Sequence, residues 1–210
     1  YRDVPAGDAD ALASIAEADR LVVLQEDALR HLPAVRRPNA SVVVQSARTL
    51  VPWARKSATH LNAILVGHLR DEKDPRTALA AWRLLPSDVP ATLTIVGGAL
   101  DPAIADDVRA AAAVDSRVRW LGARPHAWTR QAVRRAHVLI VASRMEGGAN
   151  VVAEALASGT PVIGTRMSGN LGMLGADYPG YFEVGDAAGL AAAIARAARD
   201  RRWLVSLARR

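Results

Sequence analysis

Cysteine is missing from all 210 residues, which excludes disulfides, thiolate nucleophiles and zinc–thiolate sites together. The longest purely apolar runs, such as VLIVA at 138–142, are far too short to span a bilayer, and no charged-then-apolar leader opens the chain. We therefore expect no integral membrane segment and a cytoplasmic protein. Any metal site would have to be built from five scattered histidines and the carboxylates.

Lysine is also scarce, because Lys56 and Lys73 are the only two, so arginine supplies nearly all of the positive charge behind a net charge of +6. The arginines are spread along the chain without an aromatic-interleaved stripe or an uninterrupted cluster, which argues against nucleic acid as a partner. Half of the residues are hydrophobic and 23% are charged, which is typical of a folded protein of one or two domains. A pocket for a phosphorylated small molecule suits this composition better than a nucleic-acid surface.

From Leu61 onward, short β-branched runs alternate with amphipathic stretches, the pattern of βαβ units around a parallel sheet. Strands are predicted at 61–66, 92–96, 117–121, 137–141, 161–164 and 181–184. Helices are predicted at 75–84, 101–113, 126–135, 149–157 and 186–199, with a shorter one near 169–174. Several helices open with aspartate or proline, as helix N-termini do. The sequence thus predicts an α/β fold with a Rossmann-like, doubly wound parallel sheet.

The first sixty residues follow a different pattern. They suggest a helix, a strand, a second helix and a second strand, at 8–18, 20–24, 26–32 and 41–45. These elements are too few for a sheet of their own, and 46–60 has the composition of a link between two α/β domains.

Three segments are therefore predicted along the chain. Residues 1–58 are the end of a second, upstream Rossmann-like domain plus a linker, 59–199 are a complete domain, and 200–210 start a truncated C-terminal helix. The chain starts at Tyr1 rather than Met and stops within an arginine-rich helical pattern, so we expect both ends to be cut.

The stretch SRMEGGANVVAEAL at 143–156 follows a predicted strand and runs directly into a helix. Gly147 and Gly148 allow the backbone to approach a ligand closely at the carboxyl end of the sheet, where open α/β folds bind ligands. The free N–H groups of the first helical turn, from Ala149 to Val151, offer an anion site that the helix dipole strengthens. This arrangement suits a diphosphate.

Two glutamates flank that anion site. Glu146 lies in the loop just before the helix, and Glu154 can reach back toward the helix start because helical side chains lean toward the N-terminus. Carboxylates only accept hydrogen bonds, so they suit the hydroxyls of a ribose and of a sugar attached through the diphosphate. The alternative is a solvated surface glutamate beside an ordinary helix start.

A second loop, VGHLRDEKDP at 66–75, also lies between a strand and a helix. Arg70 and Lys73 are one helical turn apart, so both cations can converge on a neighbouring diphosphate. The alternative is a salt bridge within the loop, to Asp71 or Glu72.

Together these motifs resemble those of glycosyltransferase family 4, whose members have the two-domain GT-B fold. Glu146 and Glu154, with seven residues between them, resemble its E-x7-E motif. The loop at 67–73 resembles its G-R-L-x-x-E-K segment, and 154–163 resembles its E-A-x-A-x-G-x-P-V-V segment. The likeness covers 61–199 without a gap and continues back through 18–25. It implies that 59–199 is the C-terminal, donor-binding domain of a GT-B fold.

The resemblance implies transfer of a sugar from a nucleotide-diphosphate donor, taken to be a UDP-sugar, with no bound metal and no other cofactor. The residues expected to act in catalysis are Glu146, which contacts the donor sugar, and Arg70 and Lys73, which neutralise the phosphates. Glu154 is expected to hold the ribose, and Arg124 lies near where family members place the nucleobase. The full set of expected donor-binding residues is Gly67, His68, Arg124, Gly147, Gly148, Ala149, Asn150, Val151 and Glu154.

Departures from the family pattern bear on the substrate. His68 replaces the usual arginine, Asp74 replaces the usual glycine, and Gly148–Asn150 replaces a common aromatic or proline. Many members have a glutamate after a Gly-Gly pair where this chain has SGNLGMLG at 168–175.

A subgroup shares these features. The combination of 66–75, 146–156 and 168–182 is similar to the selenosugar synthases of selenoneine biosynthesis. These enzymes attach selenium from selenophosphate to the sugar of a UDP-sugar, so the implied small acceptor is selenophosphate.

Three alternatives stay open at this stage. One is an ordinary family 4 hexosyltransferase with a hydroxyl acceptor, another is a non-catalytic nucleotide-sugar module whose missing half comes from a partner chain, and the third is a nucleotide-sugar epimerase. With only a remnant of the acceptor domain, the 210-residue piece alone is expected to bind UDP and transfer nothing. His126 and Trp128 are predicted to pack or to cap a helix rather than to bind a ligand.

Overall fold

The computed structural model describes residues 7–49 and 56–208. Its strands are β1 (Leu21–Val23), β2 (Ala40–Val42), β3 (Leu61–Val66), β4 (Ala91–Val96), β5 (Val118–Trp120), β6 (Val138–Val141), β7 (Val162–Thr165) and β8 (Tyr181–Phe182). Its α-helices are α1 (Ala9–Glu17), α2 (Pro75–Leu84), α3 (Pro102–Val114), α4 (His126–Arg135), α5 (Asn150–Ala157), α6 (Ser168–Leu174), α7 (Ala187–Arg199) and α8 (Arg201–Ala208). In the described part of the chain, none of these helices has the length and apolar character needed to cross a membrane.

Six strands form one parallel sheet in the order β5-β4-β3-β6-β7-β8. The chain runs outward from β3 to β5, crosses back through α4, and then runs outward the other way from β6 to β8. Right-handed crossovers therefore place α2 and α3 on one face and α5 and α6 on the other. The strand order reverses between β3 and β6, which opens a crevice at their carboxyl ends. This topology confirms the predicted α/β fold with a doubly wound parallel sheet.

The core lies between this sheet and its helices. Strand β6 is buried along its whole length, as the apolar run predicted, and Trp82 of α2 is fully buried in the core. The aspartate start signals are confirmed at Asp101 and Asp186, whose carboxylates accept backbone N–H groups at the starts of α3 and α7. These caps fix where the helices begin relative to the sheet.

The first part of the chain forms a separate pair of parallel strands, β1 with β2. The prediction of an α-helix at 26–32 was wrong in type, because residues 26–31 form a 3-10 helix that ends just before Pro33. Residues 34–39, which contain Pro38, form a second 3-10 helix that was not predicted. Proline lacks the N–H that a longer α-helix would need there. Strand β2 ends at Val42, three residues earlier than predicted.

The amino-terminal segment contacts the main domain through α6. Gln25 Nε2 donates to Ser168 Oγ at 3.2 Å, and Ser168 Oγ donates to Asp27 Oδ2 at 2.5 Å. Gly172 lies so close to the Gln25 side chain that a Cβ there would be 2.4 Å from Oε1. The division into 1–58, 59–199 and 200–210 stays a prediction, and its parts at 1–6, 50–55 and 209–210 lie outside the described residues.

The opposite end of the sheet, where β3 and β6 begin, carries a group of basic side chains. Buried His137 accepts the Asn62 N–H through Nδ1 and donates to Ser57 O through Nε2, and burial lowers its pKa. Lys56 Nζ donates to Thr160 Oγ1 at 3.4 Å. Burial, helped by the nearby charge of Arg201, lowers the pKa of Lys56 from 10.5 to about 8.

This depressed pKa makes stability depend on pH in a defined direction. Above about pH 8 folded Lys56 loses its proton while the unfolded chain keeps it, so the free energy of unfolding rises with pH up to the unfolded pKa of 10.5. Below about pH 8, Lys56 is charged in both the folded and the unfolded protein, so the full cost of burying its charge lowers the free energy of unfolding. Lys56→Met should be more stable than wild type at pH 7, and its free energy of unfolding should not rise with pH above about pH 8. Urea denaturation at a series of pH values measures both.

The only other lysine provides the control. Lys73→Met should keep the rise in the free energy of unfolding between about pH 8 and 10.5, since Lys56 is intact. Parallel pH profiles for wild type and Lys56→Met would contradict the assignment.

Candidate active site at the sheet crevice

The loops that follow β3 and β4 touch closely at the crevice. A Cβ on Gly97 would lie 1.8 Å from Gly67 O, so only glycine fits at position 97. The stem of Lys73 lies over Gly67, where a Cβ would be 3.1 Å from Lys73 Cδ. These contacts direct the ammonium group of Lys73 across the crevice toward the loop after β6.

Lys73 Nζ forms an ion pair with Glu146 Oε1 across that crevice. The two side chains are only 16% and 11% exposed, and Ser143 Oγ donates to the same carboxylate oxygen at 2.9 Å. Two residues predicted to act in catalysis, one from each loop, are thus in direct contact. The salt bridge within the loop, which was the alternative for both cations, is formed by Arg70, whereas Lys73 pairs with Glu146. The Arg70 side chain is half-exposed, and its Nε lies 3.9 Å from Glu72 Oε2.

Glu154 lies in α5 and is largely buried. Its Oε1 bonds to Nε2 of His126 at 2.5 Å. The prediction that His126 only packs or caps was wrong, because its side chain is 74% exposed and holds the glutamate. His126 opens α4 after β5, at the same edge of the sheet as Glu154, and this topological position was the signal that could have identified it.

A pocket of about 310 Å³ lies between these loops. Six of the predicted donor-binding residues line this pocket, namely Gly67, His68, Arg124, Asn150, Val151 and Glu154. His126 and Thr129 also line it, and neither was predicted to do so. The Arg124 guanidinium lies 5.7 Å from the ring centre of Trp128. The lining of the pocket therefore combines a cation, Arg124, and a carboxylate, Glu154, with apolar side chains such as Val66 and Val96.

The start of α5 borders the same pocket. Its N-cap residue is Ala149, whose side chain has no oxygen to accept the N–H groups of the first turn. Asn150 and Val151 line the pocket, so those groups and the helix dipole are available to an anion.

Gly148 lies on the other side of the loop, against the amino-terminal segment. A Cβ there would be 3.1 Å from Leu24 Cβ and 3.5 Å from Gln45 Oε1. Leu24 and Gln45 were not predicted to lie near the site, since they belong to the first sixty residues. The crevice is therefore bordered by both parts of the chain.

No three His, Asp or Glu side chains come close enough to share a metal ion within residues 7–49 and 56–208. The expectation of a reaction without metal stays a prediction.

Comparisons with known proteins show the family and the fold of this chain. Residues 60–200 match the family model described as "Glycosyl transferases group 1". The chain belongs to this family. No curated protein matches it in sequence.

Solved structures of the GT-B fold share its architecture. Alr3699/HepE of Anabaena, in complex with UDP and glucose, is similar with a TM-score of 0.79 at 16% identity, over 95% of this chain and 59% of that one. Sucrose-phosphate synthase of Thermosynechococcus elongatus has a TM-score of 0.76 at 25% identity, over 94% and 53%. The lipopolysaccharide outer core galactosyltransferase WaaB has a TM-score of 0.68 at 19% identity, and the match covers 92% of this chain and 58% of WaaB. This chain thus spans little more than half the length of these proteins.

The contact between Lys73 and Glu146 predicts an energetic coupling. Lys73→Met or Glu146→Gln alone leaves a mostly buried polar or charged group without its partner, while the double variant removes both. A double-mutant cycle by urea denaturation should give a coupling energy of about 1 to 3 kcal/mol.

The exposed pair Arg109–Asp106 serves as the control and should give a coupling close to zero. Additive effects of the Lys73 and Glu146 substitutions would show that the pair is not formed in solution.

Proposed function

We propose that this chain is the donor-binding half of a glycosyltransferase that uses a UDP-sugar. The observation that carries the proposal is the Lys73–Glu146 pair at the switch point, beside a pocket that ends at Glu154. Open α/β sheets bind ligands at this point. The likeness to Alr3699/HepE, solved with UDP and glucose, supports the same ligand class here.

The charges around the crevice suit a diphosphate. The N–H groups at the start of α5 offer hydrogen bonds and a partial positive charge to it. Lys73 adds a full positive charge from the opposite loop, and half-exposed Arg70 lies nearby with an adaptable guanidinium. As the bond from sugar to diphosphate breaks, negative charge grows on the leaving group, and these fixed donors stabilise it.

The two glutamates have separate tasks in this proposal. Glu154, held by His126, accepts the hydroxyls of the ribose at the pocket end. Glu146, held by Lys73 and Ser143, lies where the donor sugar follows the diphosphate and stabilises positive charge that develops on the sugar carbon. The expected E-x7-E roles are thus supported by two different sets of partners.

We further propose selenophosphate as the acceptor. Its selenium is already ionised at neutral pH, so it needs no general base. Selenium forms a bond to the anomeric carbon while the carbon–oxygen bond to UDP breaks, and the electron pair of that bond leaves with UDP. Water then cleaves the selenium–phosphorus bond of the resulting Se-phosphorylated sugar, which releases phosphate and the selenosugar. His68 lines the pocket, but its Nδ1 accepts the Gly98 N–H at 3.0 Å, so this nitrogen is not free to take a proton from an acceptor.

The test uses the full-length protein that contains this chain. It is incubated with a UDP-hexose and selenophosphate, and mass spectrometry follows the selenosugar and released UDP. A selenosugar supports the whole proposal. Product with hydroxyl acceptors only would overturn the selenium assignment and leave a hexosyltransferase, free epimerised sugar would indicate an epimerase, and UDP binding without turnover would indicate a non-catalytic module.

Single substitutions divide the proposed roles. Glu154→Ala should mainly raise the Kd for UDP, measured by calorimetry, while Lys73→Ala and Arg70→Ala should lower kcat more than they raise this Kd. Arg109→Ala, on the exposed side of α3, is the control with unchanged values. Wild-type activity in all three site variants would refute the assignment.

A further inference from the structure

The loops after β3 and β6 are joined directly behind the Lys73–Glu146 pair by a buried carboxylate. Asp74 is only 2% exposed, and its Oδ2 accepts Nε of Arg144 at 3.0 Å. Arg144 also donates its backbone N–H to Glu72 O at 2.9 Å. Residues on both sides of Lys73 are therefore bonded to Arg144, which lies two residues before Glu146.

Asp74 adopts an unusual backbone conformation to make this link. With φ 42° and ψ 56°, it is the one non-glycine residue at positive φ among the described residues. Glycine adopts this left-handed region freely, whereas a side chain is disfavoured there and aspartate is among the few that tolerate it. The position is also one where the chain departs from the glycine of the family that it resembles.

The aspartate makes contacts that a glycine could not. Its Oδ1 accepts the Thr77 N–H at 3.2 Å and its Oδ2 accepts Thr77 Oγ1 at 2.7 Å, so it caps α2 as well as pairing with Arg144. The carboxylate thus ties the rigid start of α2 to the β6 loop. Arg144 is 51% exposed, so the pair lies at the boundary of the crevice rather than in the core.

We propose that Asp74 and Arg144 are positioning residues that hold Lys73 and Glu146 at a fixed separation before the donor binds. The proposal rests on the function proposed above, since the separation matters for the leaving diphosphate and its sugar. Without the link, the β3 and β6 loops could move apart at the crevice. Lys73 would then have to be brought to the diphosphate during each turnover, which slows the reaction without removing the UDP pocket.

Asp74→Asn separates this role from helix capping. Asparagine caps helices about as well as aspartate and also tolerates the left-handed region, but it lacks the charge that pairs with Arg144. Asp101→Asn, at the N-cap of α3, is the matched control, because the Asp101 carboxylate accepts the backbone N–H groups of Ala103 and Ile104. Its bond to the β3 loop runs from its backbone N–H to Leu69 O, which the substitution keeps. Arg144→Gln removes the other partner.

The experiment compares wild type and these variants in the full-length protein. We expect Asp74→Asn and Arg144→Gln each to lower kcat by about 10-fold or more, with the Kd for UDP changed less than about 2-fold. The double variant should lower kcat no more than either single variant does, since each substitution already breaks the same ion pair. Hydrogen exchange by mass spectrometry should become faster in 70–74 and 143–148 in both variants and stay unchanged there in Asp101→Asn.

The outcomes separate the two proposals. If wild type neither binds UDP nor turns over, the proposed function fails, and the exchange comparison still decides whether the link holds the loops. Hydrogen exchange at the wild-type rate in both loops of Asp74→Asn and of Arg144→Gln would overturn the inference. So would a kcat loss matched by an equal loss of UDP affinity, because the substitution would then have damaged the whole pocket.

Discussion

The ion pair between Lys73 and Glu146 is the interaction on which the candidate site depends. It joins loops that are 73 residues apart in sequence and that become neighbours only because β3 and β6 are adjacent where the strand order reverses. A mostly buried ammonium group needs a mostly buried carboxylate, so each of these residues requires the other. In the proposed function, the diphosphate of the donor supplies a second anion to Lys73, and Glu146 is then available to the sugar.

The surrounding structure holds this pair from three sides. Gly67 lies under the lysine stem, Ser143 donates to the glutamate, and a Cβ on Gly169 at the start of α6 would be 2.1 Å from Glu146 O. Because glycine is required wherever backbones approach this closely, the glycines near the crevice serve packing as much as ligand access. The amino-terminal segment closes the remaining side through Leu24 and Gln25, which lie against Gly148 and Gly172.

Features with a local cause could be predicted from the sequence, and features with a long-range cause could not. The strand at 61–66 and the capped starts at Asp101 and Asp186 depend on neighbouring residues, and the structure confirms them. The partner of Lys73 depends on strand order, so sequence proximity pointed equally to Asp71 and Glu72. The bond from His126 to Glu154 likewise needs the α4 and α5 starts to meet at one edge. The helix at 26–32 was predicted, but its 3-10 form was not, because an apolar periodicity cannot distinguish one turn type from another. The 3-10 helix that contains Pro38 was missed altogether.

The central claim is that the crevice between β3 and β6 binds the diphosphate of a UDP-sugar. A crystal structure of the full-length protein with UDP tests it most directly. The account predicts diphosphate oxygens within hydrogen-bonding distance of Lys73 Nζ and of the first-turn N–H groups of α5, with the ribose hydroxyls on the Glu154 carboxylate. UDP bound away from α5, or bound here with its ribose away from Glu154, would contradict it.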